Sequence, residues 1–392
     1  MLGKEKIRVV MDIGCSAIRL GVIEEKEGRE ARFLVLDQEA FPAQGRLLDN
    51  PQAVSQALER LRERLQREYQ LVVNSAYVGL RGGLVQSISR SGEIVSSRSA
   101  LNTKEISTFF QQQEARYQVA DAPRLLHLSP LGLAVRDEER GIWKTLSLSD
   151  VAQVAKAQAW WVEWLALPEG ERVMREISSL GQMNGIDGFY AHRYALSRSA
   201  LRVEERQSKV LLVDLGASGT EYSLIKQGSV VFSGHVAEGG FMLSTHLARQ
   251  LNLSYHEAEQ GKIAGEWAET VEKLYRERLF KPLKSALLQA RADGLTGLTQ
   301  VILFGGGATP LAVAVAEQIF GVATRLAEVD KALWHSRLPD AMVEQEGSEH
   351  LNDYLPLLGV YQWWYDEQGE EWNPRAEDFK QKMKNWWKKL IY

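Results

Sequence analysis

The sequence predicts an α/β protein built from two similar halves that face each other across a cleft. Two stretches of the 392 residues repeat one order of elements: an apolar strand ending in Asp-x-Gly, a second strand, a polar turn and a third strand. Each stretch continues into an amphipathic helix and a further apolar strand. The repeated unit is therefore βββαβα, and two such units predict two packed α/β layers of the same kind.

The first copy begins with the strand and turn of residues 8–14, RVVMDIG. Further strands are expected at 18–23, 33–36 and 71–78, because each is a short apolar run bounded by polar residues. Residues 51–69 are predicted to be a helix. Asn50 and Pro51 form a typical helix start, since Asn caps the first turn and Pro fits it.

The second copy begins with residues 210–216, VLLVDLG. Its second and third strands are expected at 222–225 and 230–232, on either side of a Gln-Gly turn. Residues 241–251 are predicted to be the helix and 301–304 the following strand. The two copies thus match element by element.

Residues 81–167 have no counterpart in the second copy, and we interpret them as an inserted α+β subdomain. They show a strand pattern near 84–94, a helix start at 102–105 and a tryptophan-rich segment at 149–165 that predicts a helix. Core packing is the expected role of its tryptophans. The predicted division of the chain is a first half (1–80, resumed at 168–208), the insertion (81–167), a second half (209–365), a flexible linker (366–378) and a C-terminal amphipathic helix (379–392).

Composition excludes several classes of protein. The net charge of −4 gives no general affinity for nucleic acid, and none is expected as a partner. The single cysteine, Cys15, excludes a disulfide framework and fits a reducing compartment. No signal peptide and no membrane-spanning segment is expected from the apolar runs, so we expect a cytoplasmic protein that lies at most peripheral to a membrane.

Glycine turns after predicted buried strands indicate a phosphate-binding site. Glycine lets backbone N–H groups approach a phosphate closely, and a helix N-terminus favours an anion. Each turn alone is more often an ordinary tight turn, but the ordered set favours a nucleotide. The candidate nucleotide-binding residues in these turns are Asp12, Gly14, Cys15, Ser16, Asp214, Gly216, Ser218, Gly219, Thr220, Gly239, Gly240, Gly305, Gly306 and Gly307.

Two aspartates, Asp12 and Asp214, sit at matching strand ends of the two copies. Facing each other across the cleft, they predict a site for Mg²⁺ bound through water, because Mg²⁺ keeps several waters and uses one or two carboxylates. The hydroxyls of Ser16, Ser218 and Thr220 are predicted to donate to phosphate oxygens.

The ordered motifs resemble those of the superfamily that contains actin, hexokinase and the DnaK chaperones, with its ribonuclease-H-like halves. Within it, the chain is most similar to the FtsA family of bacterial cell-division proteins, through residues 45–49, 77–83, 91–94 and 126–130. The superfamily motifs are Asp12-x-Gly14, Asp214-x-Gly216, Gly239-Gly240, Ala258-Glu259-x-x-Lys262 and Gly305-Gly306-Gly307.

This resemblance implies an actin-like fold with ATP and Mg²⁺ as ligands, and with Glu259 and Lys262 near the ribose and base. It also implies filaments of the protein itself on the inner face of the cell membrane. The implied partners are the C-terminal peptide of FtsZ and other division proteins. Cys15 and Phe304 depart from the family pattern, as do Ala217-Ser218 and His246. No catalytic base can be identified, so at most a weak ATPase is expected.

The last 14 residues, FKQKMKNWWKKLIY, predict a helix that lies on a membrane surface. At 100° per residue the apolar side chains form one stripe and the lysines lie beside and opposite it. Such a helix places its apolar face in the bilayer interface and its lysines toward anionic headgroups. The alternatives are a terminal helix that docks on the protein's own core and a helix that binds a partner protein. The expected membrane-binding residues are Phe379, Lys380, Met383, Lys384, Trp386, Trp387, Lys388 and Leu390.

Two other functions stay open from the sequence. Residues 12–19, DIGCSAIR, resemble the opening of PilM, an actin-like scaffold of pilus and secretion machines, about as well as that of FtsA. A small-molecule kinase or chaperone ATPase of the same superfamily is a third hypothesis, which the short chain and the basic tail disfavour.

Overall fold

A computed structural model describes most of the chain, and all structural statements below concern these residues. The predicted linker after Asp366 and the predicted amphipathic helix 379–392 lie outside them. The described residues are 6–26, 30–42, 45–119, 122–137, 142–146, 148–180, 185–291, 294–339, 342 and 349–366.

The described strands form three sheets. They are β1 (Lys6–Ile13), β2 (Ala17–Glu25), β3 (Arg32–Ala40), β4 (Ser75–Leu80), β5 (Val85–Val95), β6 (Leu125–Asp137), β7 (Ile142–Thr145), β8 (Lys156–Ala166), β9 (Gly185–Ala191), β10 (Lys209–Leu215), β11 (Thr220–Lys226), β12 (Ser229–Val236), β13 (Gln300–Phe304) and β14 (Ala323–Leu326).

The described helices cover the sheets and connect them. They are α1 (Pro51–Tyr69), α2 (Thr103–Ala115), α3 (Leu148–Val151), α4 (Pro168–Ser179), α5 (His192–Ser199), α6 (Gly240–Leu251), α7 (Tyr255–Ile263), α8 (Ala268–Leu274), α9 (Lys281–Ala290), α10 (Pro310–Phe320), α11 (Lys331–Trp334), α12 (Glu349–Asn352) and α13 (Leu355–Tyr361). None of the described helices is long and apolar enough to cross a membrane.

Two of the sheets have the same topology, which confirms the predicted duplicated fold. The first half has the strand order β3-β2-β1-β4-β9 and the second half the order β12-β11-β10-β13-β14. In both, the first three strands are antiparallel and the remaining strands run parallel to the first. The central strands β1 and β10 are buried almost throughout because helices cover both faces, which explains their unbroken apolar runs.

Several element boundaries follow from local chemistry. Helix α1 covers 51–69 as predicted, and the Asn50 side chain accepts a hydrogen bond from the Ala53 amide at 3.1 Å. Helix α6 begins one residue before its predicted start. Strand β4 begins at Ser75, four residues later than predicted.

The third sheet is formed by residues 85–166 and has the order β5-β8-β6-β7. The helix predicted for the tryptophan-rich segment is wrong: Lys156–Ala166 is strand β8, between β5 and β6. Aromatic and β-branched residues favour strands, and a strand covered on both faces shows no polar alternation. Trp161 and Trp164 are buried, as expected of core residues.

An ion pair fixes the turn after α5 to the second sheet and leads to a first prediction. Arg325 on β14 donates to Glu205 at 2.7 Å, and the Arg202 amide donates to the same carboxylate at 2.8 Å. Burial alone would raise the pKa of Glu205, but these bonds outweigh it and the pKa is lowered. Glu205→Gln is expected to lower the free energy of unfolding by about 2 kcal/mol near neutral pH, measured by urea unfolding.

The pH dependence of this loss has a definite sign. A carboxylate whose pKa is lowered on folding stabilises the fold above its unfolded pKa of about 4.3 and loses that contribution as the pH falls through the folded value. The difference between wild type and Glu205→Gln should therefore be constant from neutral pH to about pH 5 and shrink below it. Glu204→Gln, at an exposed neighbour, is the control. A pH-independent difference would contradict the assignment.

Candidate functional site

The carboxyl ends of the parallel strands of the first half bring three charged or titratable side chains together. Asp12 lies at the end of β1, and its register partner on β4 is Gly79. Arg81 follows β4 directly, and His192 follows β9 as the first residue of α5. Because parallel strands end at the same edge of a sheet, these three residues meet although they are far apart in sequence.

The second half presents two carboxylates to the same place. Asp214 lies near the end of β10 and Glu221 is its register partner on β11. Both are buried, as is Asp12. We call Asp12, Arg81, His192, Asp214 and Glu221 the cleft cluster.

Arg81 connects the two aspartates that were predicted to hold magnesium. Its Nε donates to Asp12 Oδ1 at 2.7 Å, and a terminal nitrogen donates to Asp12 Oδ2. Its other terminal nitrogen lies 3.4 Å from Asp214 Oδ2. The guanidinium fork therefore pairs with both Asp12 oxygens and reaches across to the other half, a geometry that suits arginine better than lysine.

His192 occupies the remaining space between the carboxylates and is fully buried. Its Nδ1 lies 3.2 Å from Glu221 Oε2 and 3.6 Å from Asp214 Oδ2, and its Nε2 lies 3.8 Å from Asp12 Oδ1. Within the described part of the chain, one donor atom from each of His192, Asp214 and Glu221 lies within 4.8 Å of the others, a spacing that could hold a metal ion.

The pKa directions show how the charge is distributed. Burial alone would raise the pKa of Asp12, but Arg81, His192 and Arg19 hold it well below its usual range. For Asp214, burial dominates and the nearby acids add to it, so its pKa is raised. Burial opposes ionisation of Glu221 too, but the hydrogen bond with His192 and the charge of Arg193 lower its pKa. Burial thus favours the protonated form of Asp214, whereas the neighbours of Asp12 and Glu221 favour their ionised forms.

The two hairpin turns predicted to bind phosphate contact each other directly. Cys15 Sγ lies 3.1 Å from Ser218 Oγ, although 203 positions separate the two residues. The first two amides of α6 donate to loop carbonyls, Gly240 N to Gly216 O and Phe241 N to Ala217 O, each at 2.9 Å. These helix N-terminal donors are therefore satisfied by the protein itself.

His235 on β12 fills the space beside these turns. A Cβ atom added at Gly219 would lie 2.3 Å from His235 Nε2, and at Gly82 and Gly83 it would lie about as close as an ordinary van der Waals contact. Burial lowers the pKa of His235. The imidazole thus packs between the Gly82-Gly83 turn of the first half and Gly219 of the second.

The residues expected near the adenosine lie in two groups, one around Lys262 and one at Gly305 beside Asp214. Lys262 Nζ donates to Glu259 at 2.9 Å, to Ser244 Oγ at 2.7 Å and to Gly240 O at 3.3 Å. Gly305 has φ +92°, which favours glycine, and a Cβ there would lie 2.3 Å from Asp214 Oδ1.

The other predicted residues have separate positions. Gly307 is buried and donates to Leu215 O at 3.0 Å, whereas Gly306 is exposed. A Cβ at Gly239 would lie 2.5 Å from Gly216 O, so this glycine allows the close packing of loop and helix. The Thr220 hydroxyl donates to Glu238 O at 2.7 Å, so it is directed at the protein rather than at a phosphate.

Ser16 is exposed, and Gly14 holds the first hairpin turn through a 2.9 Å bond from its amide to Ala17 O. The structure therefore brings Asp12, Cys15, Asp214 and Ser218 together at the cleft. It also keeps Glu259 and Lys262 together as an ion pair, with 2.9 Å between Lys262 Nζ and Glu259 Oε2.

The implied ligands fit this arrangement to different degrees. Glu259 and Lys262, which the resemblance implies for the ribose and base, are paired with each other, and Lys262 also donates to Ser244. The position between Asp12 and Asp214 is filled by a protonated guanidinium, so a hydrated Mg²⁺ does not fit there. The phosphate turns fit a phosphate chain only after Cys15 and Ser218 separate.

Arg81, His192, Glu221 and His235 were not among the predicted site residues. A signal for Arg81 was present, since Leu80-Arg81-Gly82-Gly83 is one more glycine turn after a buried strand. His192 follows a strand in the same way. Glu221 and His235 carry no local signal, because their role depends on register across the second sheet.

Comparisons with known proteins support the same relationships. The family profile described as Type IV pilus assembly protein PilM matches residues 179–351. The cell division protein FtsA of Pseudomonas aeruginosa is 23% identical over 354 residues, 82% of each chain. FtsA of Agrobacterium fabrum is 26% identical over 199 residues, 49% of this chain and 42% of that protein.

The fold of a solved structure is also similar. The structure titled PilM-PilN type IV pilus biogenesis complex matches with a TM-score of 0.57 and 19% identity, and covers 90% of this chain and 96% of that chain. With the duplicated sheets and the sequence relationship to FtsA, this match leads to one conclusion. The chain has an actin-like fold, and its sequence is similar to FtsA cell-division proteins and, over residues 179–351, to the PilM family.

Proposed function

We propose that this chain is an FtsA-type adaptor, an actin-like protein that assembles with copies of itself on the cytoplasmic face of the inner membrane and attaches FtsZ and other division proteins to it. The observation that carries the proposal is the combination of two actin-like halves with a four-stranded sheet inserted between β4 and β9. The 82% coverage of an FtsA protein supports it, as does the basic, aromatic C-terminal segment.

The position of the last described element is compatible with a membrane-binding tail. Helix α13 packs in the core, and Tyr361 and Trp364 are buried. The body of the protein therefore extends to about Asp366, and the twelve residues before Phe379 can span up to about 40 Å. That length allows the segment 379–392 to reach a membrane beside the body.

An adenine nucleotide is part of this proposal, with Glu259, Lys262 and Gly305 as its binding residues. Binding its phosphates requires the Cys15 and Ser218 side chains, now 3.1 Å apart, to separate.

The test of membrane attachment is co-sedimentation with liposomes. The full chain is expected to pellet with anionic liposomes and to stay in solution with neutral ones, and a chain ending at Asp378 should stay in solution with both. A third version carries residues 379–392 in a scrambled order. It keeps all five lysines but loses the apolar stripe, and we expect it to bind much more weakly.

Equal binding by the scrambled tail would show a purely electrostatic attachment and contradict the amphipathic-helix proposal. Solubility of the full chain with anionic liposomes would contradict membrane attachment altogether. Electron microscopy of the pellets tests the filaments, which should appear on the liposome surface.

A PilM-type scaffold is the second candidate, favoured by the profile match to residues 179–351 and by coverage of 96% of the solved PilM chain. Binding to the FtsZ C-terminal peptide, measured by fluorescence anisotropy, separates the two. Binding supports the FtsA-type proposal, whereas binding only to a PilN-type protein would replace it with the PilM-type scaffold.

A further inference from the structure

Arg81 supplies a positive charge to the buried carboxylates of the cleft cluster. Asp12 is completely buried and Asp214 is 3% exposed, so neither carboxylate is hydrated by bulk water or screened by salt. Arg81 supplies the compensating charge at 2.7 Å from Asp12 Oδ1 and 3.4 Å from Asp214 Oδ2. A guanidinium keeps its proton at any physiological pH.

The backbone on either side of Arg81 positions this side chain in the cleft. Gly82 has φ +61°, a conformation that favours glycine and turns the chain immediately after Arg81. The turn packs against His235, whose Nδ1 would lie 3.4 Å from a Cβ at Gly83. The position of Arg81 is therefore fixed on its N-terminal side by the end of β4 and on its C-terminal side by the Gly82-Gly83 turn, which packs against the second half.

A divalent ion would compete with Arg81 for the same oxygens. Between Asp12 and Asp214 it would have to displace the guanidinium. At the other candidate position, among His192, Asp214 and Glu221, it would use the carboxylate of Asp214 that Arg81 also approaches. Two positive charges about 4 Å apart in a buried site repel each other strongly, so metal and guanidinium exclude each other.

We infer that Arg81 is the resident cation of this cleft: its guanidinium takes the position between Asp12 and Asp214 that was predicted for magnesium, and the two halves close without a divalent metal. This inference goes beyond the proposed adaptor function and does not depend on it. Nucleotide, where it binds, is then bound without help from Mg²⁺.

The experiment measures metal directly and needs no enzymatic activity. The full chain is titrated with Mn²⁺, whose free form is detected by electron paramagnetic resonance, with and without the non-hydrolysable nucleotide AMPPNP. Without AMPPNP, we expect no Mn²⁺ to bind to the protein. With AMPPNP, we expect only as much bound Mn²⁺ as the nucleotide itself binds in buffer. The affinity for AMPPNP, from isothermal titration calorimetry, should change by less than about twofold between MgCl₂ and EDTA, or no binding should be seen in either.

A stoichiometric Mn²⁺ site, or AMPPNP binding at least about tenfold tighter with MgCl₂, would overturn the inference. The thermal midpoint of the wild-type chain gives an independent reading and should be the same in MgCl₂ and EDTA. These results do not depend on liposome binding, so failure here and failure of the adaptor proposal are distinguishable.

A variant shows whether Arg81 is the group that excludes the metal. Arg81→Ser removes the guanidinium and leaves room for a hydrated ion between the aspartates, so MgCl₂ is expected to raise its thermal midpoint and Mn²⁺ to bind. Arg90→Ser is the matched control, because Arg90 pairs with Glu163 in the inserted sheet and should show no response to metal. A folded Arg81→Ser protein without any response to metal would contradict the assignment. If that variant does not fold, the wild-type Mn²⁺ titration decides.

Discussion

Replacement of Arg81 by methionine is expected to lower the free energy of unfolding by about 3 kcal/mol, the loss typical of breaking a buried ion pair by removing one partner. Methionine keeps most of the length and apolar contact of the arginine stem, so the loss reports on charge rather than on packing. Asp12 would be left buried beside Asp214 and Glu221, with Arg19 at 3.9 Å and His192 at 3.8 Å as its remaining basic neighbours among the described residues. Urea unfolding followed by circular dichroism measures the change.

A double mutant isolates the interaction. Asp12→Asn removes the buried charge that Arg81 compensates, so Arg81→Met should cost less in that background than in the wild type. A coupling energy of at least about 1 kcal/mol is expected from a direct charged pair. Additive losses would show that Arg81 stabilises the protein through contacts other than Asp12.

The pH dependence of the Arg81→Met loss follows from the same geometry. In the wild type, burial opposes ionisation of Asp12, but Arg81 and the other partners of this carboxylate lower its pKa. The ionised Asp12 therefore stabilises the fold fully down to the unfolded pKa of about 4. Without the guanidinium, burial raises this pKa above the unfolded value, and the variant gains stability as it takes up a proton. The difference between variant and wild type should therefore shrink from neutral pH toward about pH 4. A difference that grows on acidification would contradict this account.

The fold could be predicted from the sequence because its signals are local and occur twice. Two apolar strands that end in Asp-x-Gly establish the repeat, and the start Asn50-Pro51 fixes α1 at the correct residue. Strand β8 could not be predicted in this way. Its residues 161–166 are buried on both faces, so the polar alternation that distinguishes a strand from a helix is missing there, and a run of tryptophans fits both.

The candidate site could be predicted only in part for a related reason. Asp12 and Asp214 could be identified because each belongs to a repeated motif. The side chain that joins them, Arg81, is 69 and 133 positions away, and only the order of the strands brings it there. Two facing carboxylates fit a metal ion as well as an arginine, and only the fold places Arg81 between them.

Gly359→Ala is expected to cost about 3 kcal/mol of the free energy of unfolding, because this glycine allows α13 to lie against α5 at very short range. A Cβ at Gly359 would lie 1.8 Å from the carbonyl oxygen of Ala195, and backbone cannot move aside as a flexible side chain can. The Ser199 hydroxyl donates to Leu355 O across the same contact. The added methyl group must therefore push the backbones of α13 and α5 apart, because the atom nearest to it belongs to the backbone of α5.

The matched control is Gly132→Ala, since no atom lies within 4 Å of a Cβ at that position, and its effect should stay within about 0.5 kcal/mol. Urea unfolding of both variants measures the difference. An equal effect of the two substitutions would contradict the close contact of α13 and α5. The contact matters for the proposed adaptor because α13 is the last described α-helix before the segment proposed to bind the membrane. In the proposed adaptor, the membrane-bound tail is connected to the first half through α13 and α5. Displacement of α13 breaks this connection. Liposome-bound filaments of Gly359→Ala should therefore be lost at a temperature at which Gly132→Ala still forms them.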